Sequence, residues 1–361
     1  MAQDQDLDRP EPVSHANFRL AFAPLEICPV DKAFWVVATP RYRGVYDGIL
    51  RHEATRRGVT RGVLDGPKYE QASYGVHLPR GTNDLATRCR AIQRVLPPAA
   101  VWSHYTGAML RGWSRPWLPS RVPLFASLPG GGTHLHRGGV YVARTDGAAC
   151  DPEVRDGLRL ASAPAILAQL ARDLSLLDLV AVMDSATHLG DVSIDEIENS
   201  LRPHQWGAPM LRRAMADVDP RAESWWETPL RLLHSWSGID VQPQYEIRDD
   251  WGDVIVRGDL WIVGSRRLHE YDGAIHDERE IRKRDLARDK TLGRIRWERY
   301  GYVALDIVRD PERILRDAEE ALGLPHRPQR LKRWRAEAAR STLSASGRRR
   351  LVQRLLRYDR S

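Results

Sequence analysis

Two strand-like runs, Val254–Val263 and Leu268–Tyr271, flank Gly264-Ser265, a favoured two-residue turn of an antiparallel hairpin. No other stretch constrains the fold as tightly, because strand side chains alternate faces and one turn fixes which residues meet. A two-residue turn at Gly264-Ser265 pairs Val263 with Arg266 and Trp261 with Leu268, and it sets Asp259 directly opposite Glu270. Asp272 then falls on the face of Glu270. Three carboxylates on one patch of sheet repel one another. A hard divalent cation, Mg²⁺ or Mn²⁺, would remove that penalty, since such ions prefer carboxylate oxygens. The plainer alternative is a solvent-facing acidic hairpin in another register.

The elements around the hairpin follow from periodicity. Glu223 to Trp236 carries apolar residues at helical spacing, with Gly238 as its stop. Val241–Ile247, Val254–Val263 and Leu268–Tyr271 read as strands. Ile281–Arg299 reads as a long charged helix ending near Gly301, and Tyr302–Val308 as an alternating apolar strand. Asp310-Pro311 opens a last helix, with aspartate as N-cap and proline in the first turn. The order α-β-β-β-α-β-α predicts a mixed sheet flanked by helices, an α/β class.

Upstream, a short helix is expected over Tyr46–His52 and a second after Thr60 as N-cap, followed by strands on either side of Ser73–Gly75. Two helices and a hairpin are the order of a winged helix-turn-helix. Ser103 is expected to cap a helix over His104–Leu110, and Val140–Val142 reads as a strand. Ala163–Met183 reads as two apolar helices broken near Leu174-Ser175, and Ser193–Glu196 as a capping box. Gly130–Gly132 lacks the lysine and following helix of a phosphate-cradling loop and reads as a turn.

Charge is unevenly spread. Arg327–Ser361 holds 12 basic and 2 acidic residues, while the rest of the chain, with 43 basic and 46 acidic, is slightly acidic. A basic block of this kind suits either a polyanion or a solvated helical extension. The three cysteines, Cys28, Cys89 and Cys150, are too scattered for a zinc site or a disulfide framework and fit a reducing compartment. Leu174–Met183 is too short to span a bilayer, and the acidic, polar start lacks a secretory h-region. A cytoplasmic chain with no membrane partner is expected. At 361 residues it has room for two or three domains of roughly 100–200 residues each.

The C-terminal half resembles a known family at many positions in the right order. These are Glu223-Ser224 and Glu227, Gln244, Arg257-Gly258-Asp259-Leu260, Glu270-Tyr271-Asp272-Gly273 with His276, then Asp285, Arg288, Leu292 and Gly301-Tyr302. The pattern resembles the family related to very-short-patch-repair endonucleases, within the PD-(D/E)XK nuclease superfamily, and covers about Glu223 to Val308. The resemblance implies that Asp259 and Glu270 ligate the metal and that Glu227 completes or orients that shell. It departs at Asp272, where the superfamily usually has lysine. Aspartate there would take a metal or act as a base, leaving His276 or Lys290 to supply the positive or proton-carrying group. Arg288 has a plain role in pairing with Asp285 or Asp289, and a sharper one on a phosphate.

A second resemblance, over about Tyr46 to Glu198, rests on Val59–Leu64, Tyr74-Gly75-Val76 and Ser103–Ala108. It is to abortive-infection type IV antitoxins (AbiEi), which are winged-helix regulators. Arg61 is the one obvious DNA contact it implies.

The expected organisation is an extension over 1–45, a winged helix-turn-helix over 46–84, an antitoxin-like α+β and helical domain over 85–219, a nuclease-like domain over 220–322 and a basic tail over 323–361. The expected activity is metal-dependent DNA cleavage. The alternative is a DNA-binding regulator or antitoxin with a silent nuclease fold and a cognate toxin as partner.

Overall fold

Ile49 and Leu50, expected inside a helix, form a short strand in the computed structural model, which describes residues 48–82, 84–120, 122–131, 135–145, 152–273 and 288–358. This strand, β1 (Ile49–Leu50), pairs antiparallel with β3 (Val76–Pro79), which in turn pairs with β2 (Tyr69–Ser73). An isolated helix of seven residues carries the full cost of nucleation for few hydrogen bonds. Pairing instead buries Leu50 beside Val76 and Leu78. The second short helix is where Thr60 puts it: α1 (Arg61–Leu64) starts with the Thr60 hydroxyl accepting from Val63 N at 3.4 Å.

A five-stranded mixed sheet follows, in the order β6 (Val140–Thr145), β5 (Leu124–Pro129), β4 (Val101–Trp102), β8 (Leu158–Leu160), β7 (Glu153–Arg155). The helix α2 (Leu85–Gln93) sits between the two sheets, and Leu78, Cys89, Ile92, Trp102, Ala126 and Leu160 share one core cluster. α3 (His104–Leu110) begins after Ser103 as expected, yet the Ser103 hydroxyl does not cap it. Ser127 Oγ donates to it at 2.8 Å, and the amide of His104 is taken by Gln169 Oε1 at 2.8 Å.

The apolar stretch breaks as expected into α4 (Ala163–Leu170) and α5 (Leu176–His188), with Ser175 capping the second. Both halves of the Ser193–Glu196 capping box form at the start of α6 (Ile194–Ser200), and α7 (Ala208–Met215) follows. No helix of the described residues is long and apolar enough to cross a membrane.

The third region runs α8 (Glu227–Trp236), β9 (Val241–Arg248), β10 (Val254–Ile262), β11 (Arg267–Tyr271), α9 (residues 288–294), β12 (Glu298–Tyr302), α10 (Ala304–Arg309) and α11 (Pro311–Ala321). Its sheet has the order β12-β11-β10-β9, with β12 parallel to β11 and the other pairs antiparallel. Gly238, at φ +71°, ends α8 in the left-handed conformation that glycine adopts without a Cβ penalty.

Two boundaries here differ from expectation. α9 stops at residue 294, because Arg296 turns left-handed (φ 57°) and Trp297 N reaches back to Leu292 O at 3.0 Å. Residues 298–302 can then pair with β11 and bury Tyr302, so the strand lies earlier than Tyr302–Val308. The apolar residues after it belong to α10, where the Asp306 carboxylate accepts from Val303 N at 3.0 Å.

The main core runs through the middle helices and the third sheet without interruption. Buried Asp184 of α5 ties the two together, accepting from Thr228 Oγ1 (2.6 Å) and Arg231 Nη2 (2.7 Å) of α8 and from Asp219 N (2.8 Å). The basic C-terminal block is part of the same packing. Trp334 of α12 (Lys332–Ala338), Leu351 and Leu355 of α13 (Ala345–Leu355), and Tyr358 are all buried. The arginines of that block ride on an apolar underside.

Candidate active site: a carboxylate cluster held by two arginines

The hairpin keeps the expected register through a different turn. Leu260 faces His269 and Trp261 faces Leu268, but the strands end at Ile262 and Arg267, so four residues make the turn. Gly264 takes φ +89°, while Ser265 N and Oγ both donate to Ile262 O. The turn takes one residue from each arm and leaves the register unchanged, so that register, carried one residue further, sets Asp259 across from Glu270 on one face.

Register across the sheet extends the row. β9 pairs Pro243 with Leu260 and Tyr245 with Gly258, which sets Gln244 beside Asp259, and β12 pairs Gly301 with Glu270. Gln244–Asp259–Glu270–Gly301 therefore crosses all four strands. Gln244 holds a left-handed backbone (φ 50°) inside its strand, a conformation costing about 1–3 kcal/mol that tends to collect at functional positions.

Glu227, the first residue of α8, is buried, and its Oε2 accepts from Gln244 Nε2 and from Glu223 N, each at 2.9 Å. Burial, and then the charge of Asp259, push its carboxyl up to about 7. Asp259 Oδ2 accepts from Tyr271 N at 2.9 Å, a side-chain bond across the hairpin. Glu270 is 3% exposed, and burial raises its pKa against the pull of Arg288, with Asp259 adding to the rise. The three carboxylates therefore feel one another.

Two guanidiniums answer that charge. Arg288 of α9 grips both oxygens of Glu270, with Nη1 to Oε2 at 2.9 Å, and also donates to the Arg257 carbonyl. Arg299 of β12 places Nη1 3.0 Å from Glu270 Oε2 and 3.3 Å from Asp272 Oδ1. Its Nε donates to Asp289 at 3.1 Å. Surrounded by these acids, and despite burial, the guanidinium has its pKa raised. Asp272 lies just past the end of β11, half exposed, with its amide donating to Tyr302 O at 2.9 Å.

The structure thus brings together Glu227, Asp259, Glu270, Asp272 and Arg288. Lys290 is exposed on α9, two residues past Arg288, and Arg61 is exposed on α1 with an ion pair to Asp65 at 3.7 Å. His276 and Asp285 lie outside the described residues. Arg299 escaped the sequence reading, because Ile281–Arg299 reads as one helix and the parallel partner of β11 is invisible in local pattern. Its one signal was a cation two residues before Gly301-Tyr302.

The donor chemistry suits a hard cation, with carboxylate oxygens from two adjacent strands backed by a third acid that burial has pushed toward protonation. Against that, Glu270 is turned into a bidentate pair with Arg288. Among the described residues no three His, Cys, Asp or Glu side chains converge as a metal cage. A cation bridging Asp259 and Glu270 must therefore take the place that Arg288 holds. Compared with protein-family models, curated proteins and solved structures, the chain matches none of them.

Proposed function

We propose that the chain is a divalent-metal-dependent DNA endonuclease with a restriction-endonuclease-like catalytic domain of the very-short-patch-repair type. One observation carries the reading: Asp259 and buried Glu270 lie on adjacent strands in a register that sets them across from each other, and the charge of Asp259 raises both Glu270 and buried Glu227. Asp259 and Glu270 would hold Mg²⁺ or Mn²⁺. Such an ion, when bound, lowers the pKa of a ligated water and neutralises charge on the phosphate.

The chain's own residues would do the rest. Glu227, with a carboxyl near 7, exchanges a proton in the physiological range and is suited to general base or acid work. Arg299, paired with Asp272 in the usual lysine position, would supply the cation that meets charge building on a phosphoryl group. The β1-β3-β2 sheet and α1 supply an arrangement compatible with a winged helix, with Arg61 free of the core to meet a phosphate. On this reading the protein works on DNA in the cytoplasm.

The test is cleavage of duplex and mismatched DNA by the full chain in Mn²⁺ or Mg²⁺, beside Asp259→Ala. Cleavage that survives this substitution unchanged removes the assignment.

A second reading has its own support. The bidentate Arg288–Glu270 pair fills the ligand position with a protein cation, as a silent fold would. The chain would then be a DNA-binding regulator or antitoxin with a toxin as partner. Arg288→Ala separates the two. Under the nuclease reading it frees Glu270 and strengthens Mn²⁺ binding. Under the regulator reading no Mn²⁺ binds to either form.

A further inference from the structure

A cavity of about 460 Å³ opens where the start of α5, the helix α7 and the C-terminal helices α12 and α13 meet. Its volume falls in the range of small-molecule sites, roughly 300–1,000 Å³. Four guanidiniums line it, from Arg213, Arg340, Arg350 and Arg354, together with three carboxylates.

The carboxylates are already committed. Glu337 Oε1 accepts from Arg213 Nη2 (2.6 Å) and Arg340 Nη1 (3.2 Å). Asp173 pairs with Arg357, accepts from Tyr358 Oη at 2.9 Å and lies 2.8 Å from His104 Nε2. Asp178 is enclosed by donors from Ser341 and Thr342, and burial shifts it toward the neutral acid.

Two of the cations form no ion pair among the described residues. Arg354 Nη1 donates to a neutral acceptor, the Asp173 carbonyl, at 2.6 Å. Arg350, one turn earlier on the same face of α13, makes no hydrogen bond or ion pair with another described residue. Like charges held side by side at a cavity mouth repel unless an anion joins them. The apolar side of the cavity is given by Leu174, Leu176, Met210 and Leu351.

We propose that this cavity binds a phosphate ester of nucleotide size, with Arg350 and Arg354 on the phosphate oxygens and a ring against the apolar wall. Guanidinium forks match phosphate geometry and stay charged at every physiological pH. The phosphate could belong to a free nucleotide or to a nucleic-acid strand. The site stands apart from the carboxylate hairpin and does not depend on its activity.

Titration calorimetry of the full chain with ADP, and separately with a short DNA duplex, tests it. A charge-assisted hydrogen bond contributes about 1.5–3 kcal/mol, so Arg350→Ala should weaken the responsible ligand about tenfold or more. Arg350 is exposed and makes no hydrogen bond or ion pair with another described residue, so the variant should melt with the wild type. Arg354→Lys should give a smaller loss, keeping the charge and losing the fork. Loss confined to ADP identifies a nucleotide site, and loss confined to the duplex identifies a strand phosphate. If neither ligand binds, or Arg350→Ala binds both as the wild type does, the proposal is wrong.

Discussion

The carboxylate of Asp272 lies so close over Gly301 that a Cβ added to Gly301 would stand 1.7 Å from Asp272 Oδ2. Only glycine permits Asp272 to fold down beside Arg299. Asp272 is half exposed and can rotate away, so Gly301→Ala should cost the fold no more than about 1–2 kcal/mol. It should nonetheless separate Asp272 from Arg299. Thermal melting close to wild type with a clear fall in cleavage is the expected pair of results. An unchanged cleavage rate would remove Asp272 from the site.

Glu227 makes the cluster sensitive to pH. Its pKa lies above the unfolded value of 4.5, at about 7, so the folded state holds that proton more tightly. The associated stability is complete below 4.5 and is lost as pH rises through 7. At about 1.4 kcal/mol per unit the effect is on the order of 3 kcal/mol in metal-free protein. Because other buried groups titrate over the same range, the slope should be read as the stability difference between wild type and Glu227→Gln in denaturant melts between pH 5 and 8. Mn²⁺ affinity should move the opposite way, rising as the carboxylate ionises.

Over nearly the same pH range a second buried pair acts with the opposite sign. His234 Nδ1 must donate to Leu230 O (2.7 Å), so its Nε2 accepts from His269 Nδ1 at 2.9 Å. Burial lowers His234 to about 4 and His269 well below its usual value. Unfolded histidine takes a proton first, near 6.5, so the stability present above 6.5 is lost as pH falls toward 4. The His234 share alone is on the order of 3 kcal/mol. His269→Phe should remove part of that acid slope while lowering stability at pH 8, by leaving His234 Nε2 without its donor. An acid slope unchanged in this variant would refute the coupling.

How much of this was legible in the chain depends on the range of the interaction. Thr60 and the Ser193–Glu196 box set helix starts through bonds within four residues, and those positions hold, whereas Ser103 precedes its helix without capping it. The expected Trp261–Leu268 pairing also held, although the turn has four residues rather than two, because the longer turn takes one residue from each strand and leaves the register unchanged. Long-range pairing was not legible. β1 exists because Val76 and His77 lie beside it, and β12 because β11 offers a parallel edge. The same blindness hid Arg299, and it hid the anchoring of the C-terminal block, whose apolar residues are sparse between arginines.

That anchoring changes what a truncation can report. Ser341 Oγ, Thr342 Oγ1 and Thr342 N all donate to Asp178, buried in the first turn of α5. Asp178→Ala leaves three buried donors unpaired at about 1–3 kcal/mol each, so a loss of about 3 kcal/mol or more is expected. Removing residues 327–361 would also uncover the pockets of Trp334 and Tyr358. A truncated chain should therefore melt early or aggregate. A truncated chain that keeps wild-type stability would overturn this account of the C-terminal packing.

Arg299 offers the sharpest test of the site's chemistry. It touches Glu270, Asp272 and Asp289 at once, so its removal alters both the local charge and the positions of those acids. If it meets charge developing on a phosphoryl group, Arg299→Ala should lower cleavage about 10²–10³-fold, as loss of one preorganised donor does. Arg299→Lys should recover part of that loss by restoring the charge without the fork. The two roles separate in the ion's affinity. A group acting only on the transition state leaves Mn²⁺ binding unchanged or tighter, since one competing cation is gone. A group that merely holds Glu270 in place would weaken Mn²⁺ binding in step with the rate. Parallel loss of binding and rate in Arg299→Ala, with no recovery by lysine, would reduce Arg299 to a scaffold residue.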